Sequence, residues 1–202
     1  DTRPSPTWLL RRISLEIAPL GVRFLPYPVT GISVAASPEL LRRYGAVPVL
    51  RDRDANLHLL VDPPPLLRVE VLSASDPGAD LAPPAEDDPS RRSRGSEVLR
   101  DFGRDAAPGI DPAASPYLFA AKLEERLSTR FFYSDESAPW GPDAVEEFLT
   151  RRKSGHCETF ATAMALVLRE NGIPSRLVTG FAGGERGPFG AYYLVRGRDA
   201  HA

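Results

Sequence analysis

Residues 154–179, SGHCETFATAMALVLRENGIPSRLVT, contain the single cysteine of this 202-residue chain at the start of its clearest helical pattern. The apolar side chains that follow Cys157 at helical spacing are Phe160, Ala161, Met164 and Leu168. One helical face therefore holds this stripe together with the thiol, which is predicted to point inward. Asn171-Gly172 is typical of a helix end and Pro174 prevents continuation, so the helix should end near Asn171.

The position of Cys157 at a helix N-terminus favours a reactive thiolate. Unpaired backbone N–H groups and the positive end of the helix dipole stabilise the anion there, and the same N–H groups could later hold an oxyanion. Gly155 predicts a tight turn that presents the cysteine at a cleft. The alternative interpretation is that a lone cysteine is a small buried hydrophobic residue.

A second functional side chain lies near the end of the sequence. Residues 175–181 and 191–195 have the composition of strands and flank a glycine-rich loop, which predicts a hairpin beside the cysteine helix. The chain then reaches His201. A cysteine on a helix N-terminus with a histidine on a later strand is the layout of a Cys-His acyl-transfer site, where imidazole takes the thiol proton and then donates it to the leaving group.

Three blocks of sequence carry a resemblance to a known family. They are GHCETFATA at 155–163, GIPSRLVTG at 172–180 and DAHA at 199–202. Their order and content resemble the transglutaminase-like superfamily, and specifically the bacterial TgpA-type proteins, whose transglutaminase-like domain is attached to membrane helices. The likeness is close over about the last quarter of the chain and loose in the region before it.

The resemblance implies that Cys157 is the nucleophile and His201 the general base. The family's third catalytic member, an aspartate on the next strand that orients the imidazole, would lie beyond Ala202. A catalytic core that is incomplete at its C-terminus, with weak or no activity, is therefore expected. Asp199 supports the motif but lies two residues before His201, a spacing that suits a structural contact better than the third catalytic role.

Further residues around the cysteine are candidates for supporting roles. The backbone N–H of the cysteine, His156 and Trp140 are candidates for the oxyanion pocket or the cleft wall, and packing is the simpler role for Trp140. Gly155 and Glu158 support the motif, and Glu158 could cap the helix or pair with Arg176. The sequence lacks the ligand spacing of a zinc site, so neither a metal nor a cofactor is expected.

The implied reaction is cysteine-dependent acyl transfer on the carboxamide or amide groups of a protein or peptide, through a thioester. The acceptor is open at this point, since an amine gives cross-linking whereas water gives a cysteine protease or amidase with the same site. A non-catalytic interaction or scaffold domain of a membrane protein is the alternative from another class. By resemblance, the domain is periplasmic, on the extracytoplasmic side of a bacterial membrane, and is membrane-associated through segments outside this chain.

Composition restricts the partners further. The formal net charge of −2 provides no excess of positive charge that would recruit nucleic acid. No apolar run approaches the roughly 20 residues of a membrane-spanning helix. With one cysteine the chain has no internal disulfide. A protein or peptide substrate is the expected partner.

The sequence predicts an α+β chain in three parts. Residues 1–75 contain short alternating strand patterns without a long helix, which predicts a small antiparallel β module. Residues 76–112 are rich in proline, glycine, serine and charge, which predicts a linker. Residues 113–202 are the transglutaminase-like, papain-related core, with the nucleophile at a helix N-terminus packed on an antiparallel sheet.

Two more helices and a strand are predicted in this core. Ser115 and Pro116 open the first helix, whose apolar stripe is Leu118, Ala121, Leu123 and Leu127. Residues 129–133 predict a short strand. The second helix begins at Pro142-Asp143 with a capping box to Glu146.

Overall fold

The computed structural model describes residues 9–17, 24–25, 31–36, 42, 49–51, 57–59, 67–75, 88–135, 141, 143–190 and 192–202. The chain divides into two compact units, residues 1–81 and 82–202. The described part of the first unit is built of strands, and that of the second mainly of helices.

Short strands form the described part of the first unit. They are β1 (Leu9–Ile17), β2 (Phe24–Leu25), β3 (Gly31–Ala36), β4 (Val49–Arg51), β5 (Leu57–Leu59) and β6 (Leu67–Ser75). They form two antiparallel sheets with strand orders β1-β6-β3 and β2-β5-β4. In the β1-β6 pair Ile13 lies opposite Val71 and Leu15 opposite Val69. Both sheets are antiparallel, and the predicted antiparallel β fold is confirmed.

Helix α1 (Glu97–Ala106) lies inside the segment whose composition predicted a linker. Ser96 caps this helix, since its Oγ accepts a hydrogen bond from the Leu99 N–H at 3.3 Å. Leu99 and Ala107 are only 1% and 2% exposed and belong to the core. Residues 97–107 of the predicted linker are thus part of the folded core, because a few apolar side chains suffice to hold a short amphipathic helix on a larger core. Residues 76–87 lie outside the described part of the chain.

Helix α2 (Pro116–Arg130) carries a different apolar face from the predicted one. Its buried positions are Phe119, Leu123 and Leu127. These positions are four residues apart and form a continuous stripe along one face. Leu118 is 51% exposed and Ala121 is exposed, so the prediction holds for the last two leucines only. Ser115 precedes the helix but makes no side-chain capping bond.

Four short elements are described between α2 and the cysteine. They are β7 (Phe132–Tyr133), α3 (Ala144–Glu147), a π-helical segment (Phe148–Arg152) and β8 (Ser154–Gly155). Strand β7 pairs in parallel with β8. The predicted capping box is absent, because Asp143 makes no side-chain cap and Glu146 instead accepts a hydrogen bond from Ser96 Oγ at 2.6 Å.

Helix α4 (Cys157–Glu170) begins and ends where the sequence predicted. Gly172 has φ +78°, a left-handed conformation that glycine adopts without strain. The Gly172 N–H donates to the Arg169 carbonyl at 3.0 Å and the Ile173 N–H to the Leu168 carbonyl at 2.9 Å. This pair of bonds is a Schellman motif, so the helix stops because its last carbonyl groups are satisfied by the turn.

The buried face of α4 is not centred on the apolar stripe that the sequence predicted. Its buried residues are Thr159, Ala163, Ala165, Val167, Leu168 and Glu170. Phe160 and Met164 are only partly buried and pack at the margin of the core. The predicted stripe therefore marks one edge of the buried face.

Strands β9 (Gly180–Phe181), β10 (Glu185–Arg186), β11 (Tyr193–Leu194) and β12 (Ala200–His201) follow α4. They form two antiparallel pairs, β9 with β12 and β10 with β11. The predicted hairpin of residues 175–181 with 191–195 is therefore wrong. The glycine-rich loop contains β10, and β10 pairs with β11. Strand β9 pairs instead with β12, near the end of the chain.

The core of the second unit lies where α1, α2, α4 and the π-helical segment meet. Its buried apolar residues are Leu99, Ala107, Phe119, Leu123, Leu127, Phe131, Val145, Phe148, Leu149, Ala163, Val167 and Leu168. None of the helices in the described ranges is both long and apolar enough to cross a membrane. The mixed helix and sheet architecture confirms the predicted fold class.

Candidate active site

Cys157 is the first residue of α4 and its side chain is partly exposed. His156 is the N-cap but makes no side-chain capping bond. Its carbonyl accepts from the N–H groups of Thr159 at 3.0 Å and Phe160 at 3.2 Å. The N–H groups of Cys157 and Glu158, the first two residues of the helix, have no carbonyl partner within the helix itself. This is the environment that stabilises a thiolate or an oxyanion.

The parallel pair β7-β8 forms the approach to the cysteine. The Phe132 N–H donates to the Lys153 carbonyl at 2.8 Å, and the Ser134 N–H donates to the Gly155 carbonyl at 2.9 Å. In this register Tyr133 lies opposite Gly155, two residues before the nucleophile candidate. The residues of β7 are thus held next to the start of α4.

Close packing favours a glycine at position 155, which is a different reason from the predicted tight turn. It lies outside the set of described glycines with positive φ. A Cβ at this position would lie 3.0 Å from both Cβ and Cγ2 of Thr159, a buried residue in the first turn of α4. The missing side chain therefore lets β8 approach the helix start closely.

A cluster of phenylalanine rings fixes these elements relative to one another. Phe131 precedes β7, Phe148 opens the π-helical segment, and Phe160 lies in the first turn of α4. The ring centroids of Phe131 and Phe148 are 4.9 Å apart, and those of Phe148 and Phe160 are 5.0 Å apart. Tilted and edge-to-face aromatic pairs of this kind add stability beyond the area that they bury. They hold the candidate nucleophile on the core.

Tyr133 and Asp135 belong to this neighbourhood, although the sequence analysis did not identify them. The hydrogen bond from the Tyr133 phenol to the Asp135 carboxylate, and then that carboxylate's charge, raise the pKa of Tyr133 above its ordinary value, with smaller effects of burial and of the charge of Cys157. The strand predicted for residues 129–133 was a sequence signal that could have identified them. A strand directed toward the cysteine places its last residues at the site.

His201 lies on β12 and is exposed. It pairs with Gly180 of β9, and Ala200 pairs with Phe181. In the described part of the chain no hydrogen bond joins the Cys157 thiol to the His201 imidazole. The structure thus places the two predicted catalytic residues on separate elements of the same unit.

Asp199 holds the turn that delivers His201. It ends a short 3-10 helix, Gly197–Asp199, and its carboxylate accepts from the Arg196 N–H at 2.7 Å. The Asp199 carbonyl accepts from the Ala182 N–H at 2.8 Å, which ties this turn to β9. Arg196 forms an ion pair with Glu185 at 2.5 Å, and the hydrogen bond from Arg196 lowers the pKa of that carboxyl group.

The remaining predicted site residues have different surroundings. His156 is partly buried beside the cysteine, whereas Glu158 is exposed in the first turn of α4. Arg176, a predicted partner of Glu158, forms an ion pair with Asp88 at 2.5 Å. Trp140 lies outside the described residues. Among the residues that the structure describes, no group of three or more acidic, histidine or cysteine side chains is arranged to hold a metal.

Glu170 anchors the opposite end of α4 and was not predicted from sequence. Its carboxylate accepts from Ser93 Oγ at 2.6 Å and from the backbone N–H groups of Arg94 at 2.5 Å and Gly95 at 3.0 Å. Arg100 lies 3.7 Å away, and only 1% of the Glu170 side chain is exposed. In sequence, a charged residue at the end of an apolar helix looks like a solvated helix end. The donors to Glu170 lie more than 70 residues away in the chain, so no local pattern indicates them.

Comparison with known proteins gives a consistent family. Residues 104–202 match the family model of the transglutaminase-like superfamily. Over 90 residues the chain is 44% identical to a protein-glutamine gamma-glutamyltransferase of Pseudomonas aeruginosa. The aligned segment is 44% of this chain and 14% of that relative. Over 64 residues the chain is 39% identical to the uncharacterized protein YebA of Bacillus subtilis. That aligned segment is 30% of this chain and 9% of the relative. The chain thus aligns with a small part of these relatives.

The fold comparison extends over nearly the whole chain. Crystal structures of the periplasmic domain of TgpA from Pseudomonas aeruginosa match with a TM-score of 0.70 and 25% identity, one of them bound to ethylmercury. Each match covers 96% of this chain, and 66% or 65% of the solved chain. The sequence motifs, the fold and the family model agree, and residues 104–202, just under half of the chain, match the transglutaminase-like superfamily.

Proposed function

We propose that this chain carries a cysteine-dependent acyl-transfer site that acts on carboxamide groups of proteins or peptides. The observation that carries the proposal is the position of Cys157 at the first residue of α4, inside the segment that matches the family model. The relative from Pseudomonas aeruginosa, named a protein-glutamine gamma-glutamyltransferase, supports a glutamine side chain as the acyl donor.

In the first half of the reaction, the Cys157 thiolate attacks the carbonyl carbon of the carboxamide. The N–H groups at the start of α4 stabilise the oxyanion that forms. The carbon–nitrogen bond then breaks, the nitrogen keeps the electron pair and takes a proton from His201, and ammonia leaves. The product of this half-reaction is a thioester between the substrate and Cys157.

In the second half, an amine or water attacks the thioester. The carbon–sulfur bond breaks, sulfur takes the electron pair, and one proton of the attacking nitrogen or oxygen returns to the sulfur through His201. This step requires the imidazole to approach the sulfur closely. Catalytic hydrogen bonds are often long before substrate binds, so we propose that β12 moves toward α4 in the substrate complex.

The site lies outside the cytoplasm in this proposal. The fold match is to a periplasmic domain of TgpA, and the notion of an extracytoplasmic domain of a bacterial membrane protein rests on that likeness. Proteins or peptides of the same compartment would then be the substrates.

The test is to incubate the protein with a glutamine-containing protein and a fluorescent primary amine, and to measure ammonia release together with amine incorporation. We expect both activities at the weak level that the sequence predicts, with both lost in Cys157→Ala. We expect a loss of roughly 100-fold or more in His201→Ala, the size of a general-base contribution. His58→Ala, on β5 in the other unit, is the matched histidine control and should keep full activity.

The outcomes separate the alternatives. Ammonia release without amine incorporation would identify a hydrolase, that is, an amidase or protease with the same site. Absence of both activities, together with an iodoacetamide alkylation rate of Cys157 that is unchanged in His201→Ala, would contradict catalysis and favour an interaction domain.

A further inference from the structure

Basic side chains collect at one edge of the β7-β8 pair. The pairing is parallel, with Phe132 opposite Ser154, so both strands begin at the same edge. The Phe132 N–H donates to the Lys153 carbonyl at 2.8 Å, which joins the two chain segments there. The residues that directly precede the two strands therefore lie side by side. Four of them are basic and form what we call the basic edge: Arg130 before β7, and Arg151, Arg152 and Lys153 before β8.

Most of the charge of the basic edge is available to a ligand. All four side chains are exposed. Arg152 forms an ion pair with Glu147 at 3.2 Å. Within the described ranges, no acidic side chain forms an ion pair with Arg130, Arg151 or Lys153. Three positive charges thus face solvent at the start of these strands.

The opposite ends of the two strands carry negative charge. Asp135 follows β7, and Glu158 lies in the first turn of α4, beyond β8. Both side chains are exposed. A peptide with acidic residues is therefore attracted to the basic edge and repelled beside the cysteine, so the charges along the pair fix how it can lie.

Lys153 has a backbone conformation that favours glycine. Its φ of +54° and ψ of 19° are left-handed, and no other non-glycine residue of the described chain has a positive φ. A side chain in this conformation crowds its own backbone, whereas glycine adopts it without strain. The dipoles of the preceding helices favour basic residues in their last turns, such as Arg130 and Arg151. Lys153 lies beyond the helix end, so its strained position indicates a use for the side chain itself.

The basic edge is close to the nucleophile candidate along the chain. Cys157 follows Lys153 by four residues, so their Cα atoms are at most about 14 Å apart, a span that about four residues of an extended peptide also cover. We propose that the basic edge binds acidic side chains of the substrate peptide, about three to five positions from the glutamine that reacts with Cys157. This inference rests on the proposed function and names its substrate class, an extended acidic segment. Attraction of this kind speeds association and weakens as salt is added.

The test compares the binding of two fluorescently labelled peptides to Cys157→Ala by anisotropy. Each contains one glutamine, and the positions three to five residues to either side of it are glutamates in one peptide and serines in the other. At low salt we expect the acidic peptide to bind about tenfold more tightly, the combined effect of a few exposed ion pairs. Adding Arg130→Gln, Arg151→Gln and Lys153→Gly should reduce this preference to about twofold or less.

The control removes the same number of charges elsewhere. Arg92→Gln, Arg94→Gln and Arg104→Gln change exposed residues before and on α1, and the preference should persist in that triple variant. Lys153→Gly alone should leave the urea midpoint unchanged or raise it, because it removes the strain at this position. An equal reduction of the preference in both triple variants would show that net charge drives binding, and would overturn the basic edge.

Further outcomes distinguish failure of this inference from failure of the proposed function. Preferential binding of the acidic peptide without ammonia release by the Cys157 protein would leave the basic edge standing and contradict acyl transfer. Ammonia release with the same kcat/KM from both peptides would overturn the basic edge alone. Equal binding of the two peptides, with cosedimentation on phosphatidylglycerol vesicles that the basic-edge variant loses, would overturn the peptide site in favour of an anionic membrane surface.

Discussion

The carboxylate of Glu170 connects the end of α4 to the segment before α1 through hydrogen bonds. Burial alone would raise the pKa of Glu170, but the hydrogen bonds from Ser93 and from the backbone N–H groups of Arg94, Ser96 and Gly95 outweigh burial and lower it. Removing the acceptor would leave several donors of partly buried hydrogen bonds without a partner, which costs more than the loss of an exposed ion pair. The segment before α1 thus depends on a residue at the far end of α4.

We predict that Glu170→Gln lowers the free energy of unfolding by about 2 kcal/mol at pH 7. Because the folded-state pKa is depressed, this stabilisation is present above the ordinary value of 4.5 and is lost as the pH falls through the folded-state pKa. The difference between the two proteins in urea unfolding should therefore shrink below pH 4.5. Glu125→Gln, which removes an exposed pair with Lys122, is the control and should cost less than 1 kcal/mol, as is usual for exposed pairs (roughly 0–1 kcal/mol). A difference that is constant with pH would contradict the assignment.

Among the secondary-structure elements, the contact of β8 with α4 places the nucleophile candidate. A side chain at Gly155 would meet Thr159, which is buried. The constraint is steric and acts between two elements, since neither residue needs an unusual backbone conformation there. The start of α4 is consequently sensitive to a single methyl group on β8.

We predict that Gly155→Ala destabilises the protein by about 1–3 kcal/mol, the usual cost of overpacking. The measurement is urea unfolding followed by far-ultraviolet circular dichroism. Gly141→Ala is the matched control, because a Cβ at Gly141 would meet nothing within 4 Å. Equal stability of the two variants would show that β8 yields to the added methyl group without cost.

Local patterns predicted some elements well and others badly, for physical reasons. The ends of α4 were predictable, because the signals at Cys157 and at Asn171-Gly172 act within a few residues. The face of α2 was not, since only the neighbouring helices decide that Phe119 is buried and Leu118 exposed. The partners of β9 and β10 were missed for the same reason, because strand pairing is decided over a distance.

For the chain as a whole, the boundary between the units falls earlier than composition indicated. The second unit begins at residue 82, and α1 contributes Leu99 to its core. Proline, glycine and serine between residues 76 and 112 predicted a linker, yet the part from residue 88 onward supplies a helix and the donors to Glu170. Composition describes the average over a segment. It cannot detect the few residues, here Leu99 and Ala107, that pack into a core formed by distant parts of the chain.

We predict that residues 82–202 fold as an independent unit, whereas residues 113–202 do not. The longer piece keeps α1 and the hydrogen bonds to Glu170; the shorter one loses both and exposes the surface that Leu99 and Ala107 cover. Urea unfolding should be cooperative for the first piece and broad or absent for the second. Cooperative unfolding of both pieces at the same urea concentration would contradict the boundary.

The two hydrogen bonds between β7 and β8 have a consequence for local opening of the site. Both the Phe132 and the Ser134 amide donate across this short pair, so both bonds must break when β7 separates from β8. Deuterium exchange at these two amides therefore reports the opening free energy of the site independently of global unfolding. A ligand that bridges β7 and α4 must slow this exchange, which makes the two amides a built-in reporter of occupancy.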